Sequence, residues 1–229
     1  MSAPRRAFLT LTAASLLCAG IIAATVTTTD PRWWELYFSR LGMTDDFSAM
    51  LFNGGVIAAG ATITVSAIMM RLWLLRWLMT DPTSSRHAAR VVPLFVALLG
   101  LSLTGIGVFP LSLDKVVHDT AANGMLLSFA ALLIVHRLFL RSLSRALSVL
   151  AIIAGCSLIL AMAAMAAGFI NLTVFEAIGF TAILTWVHLL EKHVKRLSPA
   201  VGPIRSANSQ RFFVSPIWGT SKVAVMSFP

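Results

Sequence analysis

Six stretches of roughly twenty residues, almost without charge, decide what this chain can fold into. They lie at about residues 7–27, 52–70, 91–109, 121–138, 146–169 and 174–190. At 1.5 Å per residue a helix of that length crosses the hydrocarbon of a bilayer. None of the stretches alternates polar and apolar residues as a barrel strand would. In hydrocarbon a backbone has to satisfy its own hydrogen bonds, so each stretch reads as a helix. The expected fold is all-α, a polytopic six-transmembrane-helix bundle over residues 1–197 with a short outer interfacial helix. Residues 198–229, rich in proline and glycine and without a sustained helical period, read as a mobile cytoplasmic tail.

Composition agrees. The 229 residues are 58% hydrophobic and 12% charged, against roughly 45–50% and 25% in a soluble domain. A net charge of +9 in a soluble protein would point to nucleic acid, but its placement here points to topology, and no nucleic-acid partner is expected. Arg5, Arg6, Arg71, Arg76, Arg86, Arg90, Arg137, Arg141, Arg145 and six more basic residues from Lys192 to Lys222 fall on one side of the spans. Only Arg32, Arg40 and Lys115 fall on the other, so the count is fifteen against three. Basic loops stay in the cytoplasm, which places both termini there and the protein in the cell membrane. Cys18 and Cys156 lie in apolar stretches with no CxxC, and read as small core residues.

Arg5-Arg6-Ala7-Phe8-Leu9 resembles a twin-arginine export signal. The apolar run behind it is long enough to span, however, and no A-x-A cleavage site follows, so it is expected to remain as the first helix.

The loops on the less basic side carry the chemistry. In the first, Asp30 can cap a helix, Pro31 suits its first turn and Gly42 its end. Trp34, Tyr37, Phe38 and Leu41 recur at helical spacing, which predicts an amphipathic helix lying in the interface. It serves either as an anchor that seals the bundle or as a lid over an outer site that Trp33, Trp34, Tyr37, Ser39 and Gly42 would help to form. In the second, Asp114 and His118 sit one turn apart, as do Asp119 and Asn123. Asn53, at the outer end of the second span, is a polar residue in apolar surroundings that needs a partner. Gly54, Gly55 and Gly60 beside it permit close helix approach. Glu176 reads as a headgroup-level carboxylate favoured by the start of its helix.

Ser39-Arg40-Leu41-Gly42, Phe52-Asn53-Gly54 opening a span, Gly105-Ile106-Gly107-Val108-Phe109-Pro110, and His118 followed by Ala121-Ala122 give a resemblance to a known family. Over residues 9–190 the chain resembles the bacterial domain-of-unknown-function family 998, itself distantly similar to the damage-regulated autophagy modulators. The resemblance implies a six-helix membrane protein and assigns no activity.

Several functional classes fit these residues. The first is a protein that binds lipid or a small molecule, or an accessory subunit of a cell-envelope complex, with membrane lipids and a membrane protein as partners. The second is a membrane-embedded enzyme acting on a lipid or envelope substrate at the outer face. There His118 would be the general base, Asp114 or Asp119 would orient it, and Asn53 would donate to developing negative charge. A metal version of that site would join His118 and Asp114 to Asp45 or Asp46, a sparse ligand set. The blander reading of His118 is a solvated first-turn residue paired with Asp114. The third class is a haem-carrying electron-transfer protein using His118, His136 and His188. A transporter is the fourth, although the span centres hold no ionisable group. HExxH, GxSxG and phosphate- or dinucleotide-binding glycine motifs are missing, and no cofactor is implied.

Overall fold

The computed structural model describes residues 8–80, 85–141 and 143–197. The Arg5-Arg6 pair, Asp81-Pro82 and the residues from 198 onward lie outside them. The described residues form α1 (Leu9–Thr27), α2 (Trp33–Leu36), a 3-10 turn (Phe38–Gly42), α3 (Phe47–Thr80), α4 (Arg86–Val108), α5 (Lys115–Val135), α6 (Arg145–Ala166) and α7 (Leu172–Leu197). A π-turn over His136–Leu140 prolongs α5. Among the described residues, six helices are long and apolar enough to cross a membrane: α1, α3, α4, α5 with its π-turn, α6 and α7.

Successive long helices are antiparallel, so the bundle has two ends. The end of α3, the start of α4, the end of α5 with its π-turn and the start of α6 lie at one, with the start of α1 and the end of α7; this is the basic end. The segments 28–46, 109–114 and 167–171 lie at the other, the loop end. Pro110 stops α4 two residues after Val108. Asp114 caps α5 by accepting from the Val117 amide. Gly168, at φ +77°, closes α6, a backbone conformation glycine adopts without penalty.

α3 is the central helix, packed against α1, α4 and α7. Glycines set its distance from two of these neighbours. Gly20 of α1 faces Gly55, where a methyl added to either would lie 2.8 Å from the other's Cα. Gly60 faces Gly100 of α4 in the same way, and a methyl on Gly60 would lie 2.5 Å from the Thr104 nitrogen and 2.6 Å from the Gly100 oxygen. Gly54 is different, since open space surrounds it. α6 is the outlying helix. It packs on α7 and barely touches α5, although a short turn joins those two.

Leu11, Ile22, Val65, Leu101, Leu127, Ile152, Ile159 and Leu160 point outward, while Ser48, Ser66, Ser128 and Thr173 are buried. An apolar exterior around small and polar contacts is the pattern of helices that associate inside lipid. The chain is a multi-pass integral membrane protein. Cys18 and Cys156 are on the exterior, which corrects their reading as core residues; as small apolar thiols they face the surroundings as readily as alanines do.

The predicted interfacial helix is present only as the four residues of α2. At Tyr37 the backbone is extended (φ −167°, ψ 156°) before the 3-10 turn begins. A continuous helix would pair the Phe38 amide with the Trp34 carbonyl. Side chains in α7 and immediately before it take both groups instead: the Phe38 amide donates to Glu176 Oε2 (2.6 Å) and Asn171 Nδ2 donates to the Trp34 carbonyl (2.7 Å). Thr173 Oγ1 donates to the Trp33 carbonyl one residue earlier (3.4 Å). The first turns of α7 thus break the helix and hold its two halves.

Candidate functional site

The loop end encloses a cavity of about 430 Å³. The lid formed by α2 and the 3-10 turn contributes Tyr37, Phe38 and Ser39; α3 and α4 contribute Phe52 and Ile106. α5 supplies Lys115, His118, Asp119, Asn123 and Leu126, α6 supplies Met162 and Met165, and α7 supplies Glu176, Gly179 and Phe180. Polar groups and carbon surface share this wall, and its α5 and α6 residues come from the two helices that part. Met162 is 53% exposed, so the α6 side of the wall is open to the surroundings. A second, mainly apolar groove of about 470 Å³ runs between α1 and α7 from Thr10 to Ile22, and shares Phe38 and Phe180 with the cavity.

His118 is the best-defined polar group in the wall, at 5% exposure. Its Nδ1 lies 2.9 Å from the Phe109 carbonyl oxygen. A carbonyl only accepts, so Nδ1 carries the proton and Nε2 presents a lone pair. That carbonyl is free because Pro110 ends α4 there. The expected pairing with Asp114 is not made: the Asp114 carboxylate caps α5 through the Val117 amide (3.0 Å). Asp119 is ion-paired with Lys115 one turn earlier, so neither carboxylate orients the imidazole. Asn123 is exposed at the cavity edge.

The remaining expected residues divide in the same way. Tyr37 and Ser39 line the cavity. Asn53 and Gly42 lie beside it, the Asn53 Nδ2 donating to the Gly42 carbonyl (3.0 Å) while the Asn53 Oδ1 is buried without a hydrogen-bond partner. A side chain on Gly42 would meet Asn53 Oδ1 at 2.4 Å, so Asn53 holds the end of the lid rather than facing a ligand. Trp33 stacks on Phe38 (centroids 6.0 Å apart) and is packed against the core, while Trp34 is 52% exposed; neither lines the cavity. The lid is braced further by Asp30, whose carboxylate accepts from the Arg32 amide and pairs with Arg40. The same two partners hold the Asp30 carboxyl below the usual carboxylate range, the Arg32 amide more than Arg40. Asp46 accepts from Ser48, Thr44 and the Thr29 amide. Among the described residues no three His, Cys, Asp or Glu side chains come together as a metal site.

The family described as "Protein of unknown function (DUF998)" matches residues 11–191, most of the chain. The chain belongs to the DUF998 family. No curated protein and no solved structure matches it significantly. In this DUF998 protein the segments that carry the resemblance converge on the loop end. Ser39, Phe52, Ile106 and His118 line one cavity, Asn53 bonds Gly42, and His118 bonds Phe109.

Two carboxylates prove more important than the sequence implied. Glu176 lines the cavity while its Oε2 holds the lid at Phe38. Glu191, fully buried near the end of α7, accepts from the Leu9 amide (3.1 Å), the Thr10 amide (2.9 Å) and the Thr10 hydroxyl at the start of α1. It supplies from a distant helix the cap that α1 lacks locally. His188 Nδ1 lies 3.1 Å from the same Thr10 hydroxyl. His136 Nε2 lies 3.1 Å from Ser148 Oγ, with the Trp186 ring edge-on to the imidazole. The three histidines of the electron-transfer reading thus engage three separate partners.

Proposed function

We propose that this DUF998 protein binds a membrane lipid or lipid-like small molecule in the loop-end cavity, without chemical change to it, and that the basic end faces the cytoplasm. The observation that carries the reading is the cavity's two-sided chemistry at the parting of α5 and α6. Glu176, His118 and Ser39 offer hydrogen bonds, while Phe180, Leu126, Met162 and Met165 offer apolar surface. A lipid can enter such a seam sideways, with its headgroup at the polar wall. The α1–α7 groove, reached past Phe38 and Phe180, extends over the thirteen residues of α1 from Thr10 to Ile22, or about 18 Å of helix, a span suited to an acyl chain. Fifteen basic residues against three support the orientation.

Native mass spectrometry after gentle extraction tests this. Wild-type protein should retain an amphiphile, and Ala122→Phe, which puts a ring into the cavity, should lose it while keeping its fold. Equal retention by both proteins would refute the reading.

One observation favours a second reading, an enzyme acting on a lipid at the same site. His118, which lines the cavity, has its Nδ1–H fixed by the Phe109 carbonyl and leaves Nε2 as an acceptor, the tautomer a general base requires. Turnover of a bound lipid that stops in His118→Ala would establish it; binding without turnover returns the question to the first reading.

A further inference from the structure

The donor and acceptor inventory of the cavity narrows the ligand's headgroup. This inference rests on the binding reading above and goes beyond it to chemical class. Glu176 uses one carboxylate oxygen for the Phe38 amide and lines the cavity with its side chain, so its second oxygen is an uncommitted acceptor. His118 is an acceptor at Nε2, because the Phe109 carbonyl fixes its proton on Nδ1. Among the described residues Lys115 is the one Lys or Arg lining the cavity, and Asp119 already pairs with it. Formal charges in the wall are therefore Glu176 and Asp119 against Lys115, a surplus of one negative charge. A second anion brought into this wall would face a carboxylate with no cation to meet it, a like-charge contact that disfavours binding.

We propose that the cavity selects a primary ammonium group, with Glu176 as its counter-ion and His118 Nε2 as a second acceptor. An ammonium has three donors and no acceptor, which complements the uncommitted acceptors at Glu176 and His118. The hydroxyl of Ser39, buried beside them, can take the third. Because Glu176 also holds the lid at Phe38, the residue that recognises the headgroup is the one that fixes the cover above it. Ligand charge and lid position are thereby linked through a single carboxylate.

The test uses the full-length protein in nanodiscs of equimolar phosphatidylethanolamine and phosphatidylglycerol, with retained lipid read by native mass spectrometry. The ammonium lipid should be retained at least about tenfold over the anionic one, a ratio equivalent to about 1.4 kcal/mol. Glu176→Gln keeps an acceptor for the Phe38 amide but loses the charge, and should abolish that preference. Asp119→Asn, which leaves Lys115 unpaired, should move retention toward phosphatidylglycerol and serves as a second variant if Glu176→Gln fails to fold. A preference unchanged in both variants, or equal retention of the two lipids by the wild type, overturns the ammonium site while leaving lipid binding standing. Binding of free ethanolamine without retained lipid would support the ammonium site and overturn the lipid reading. Retention of neither overturns both.

Discussion

Replacing Gly60 by alanine probes the contact on which the bundle's spacing depends. A methyl there would lie 2.5 Å from the Thr104 nitrogen and 2.6 Å from the Gly100 oxygen, both backbone atoms of a helix, whereas ordinary contact begins near 3.4 Å. The difference of 0.9 Å (3.4 less 2.5) has to come from moving α3 and α4 apart. Overpacking of that kind costs about 1–3 kcal/mol. Against it stands a gain of up to about 1 kcal/mol for alanine over glycine within a helix. Gly54→Ala is the control, because the same helix gains its methyl in open space. Gly60→Ala should therefore be less stable than Gly54→Ala by about 1–3 kcal/mol, measured by reversible unfolding in mixed detergent micelles. Gly100→Ala, facing backbone atoms at 2.7 Å, should behave alike. The double variant should cost less than the sum, since one separation relieves both contacts. Coincident unfolding of the Gly60 and Gly54 variants would refute the close-packed interface.

Three further outcomes follow from named contacts. Glu191→Ala strands the buried Thr10 amide and the half-buried Leu9 amide, and should destabilise by about 2–4 kcal/mol in the same unfolding assay; Glu191→Gln, which keeps one acceptor oxygen, should cost less. Combining Asn171→Ala with Glu176→Ala frees the Trp34 carbonyl and the Phe38 amide to pair with each other, so α2 should lengthen through Tyr37, visible as slowed hydrogen exchange at Phe38; an unchanged exchange rate would count against the account of the break. The hydroxyls of Ser48 and Thr44, then the Thr29 amide, hold the Asp46 carboxyl well below the usual carboxylate range. A depressed folded value contributes stability above the unfolded value, near about 3.9, and loses it as pH falls further. Protection of the Thr29 amide should thus persist from neutrality down to about pH 4 and fail only below it.

The six long helices were legible because each repeats one physical requirement, apolar length, within a single stretch of chain. The close approach at Gly55 and Gly60 was legible for the same local reason, although Gly54 beside them has no neighbour. What escaped was whatever depended on partners far along the chain. The aromatic period from Trp34 to Leu41 is a sound helical signal, and nothing within it reveals that Asn171 and Glu176 would claim the central hydrogen bond. Glu191 is followed closely by Lys192, Lys195 and Arg196 and reads as part of a basic helix end; its partners at Leu9 and Thr10 stand some 180 residues away. His118 was recognised as a candidate, but its orienting group was missed. The signal that would have found it is Phe109-Pro110, which announces a carbonyl left without a helical partner.

Glu191 also sets an order of events for a cell that makes this protein from its first residue to its last. The opening helix reaches the bilayer long before the carboxylate that completes it has been synthesised. Until the final span arrives, those early amides must stay hydrated near the membrane surface. A ribosome that stalls short of residue 191 would release a bundle whose beginning is still unfinished, a defect that a membrane protease could recognise.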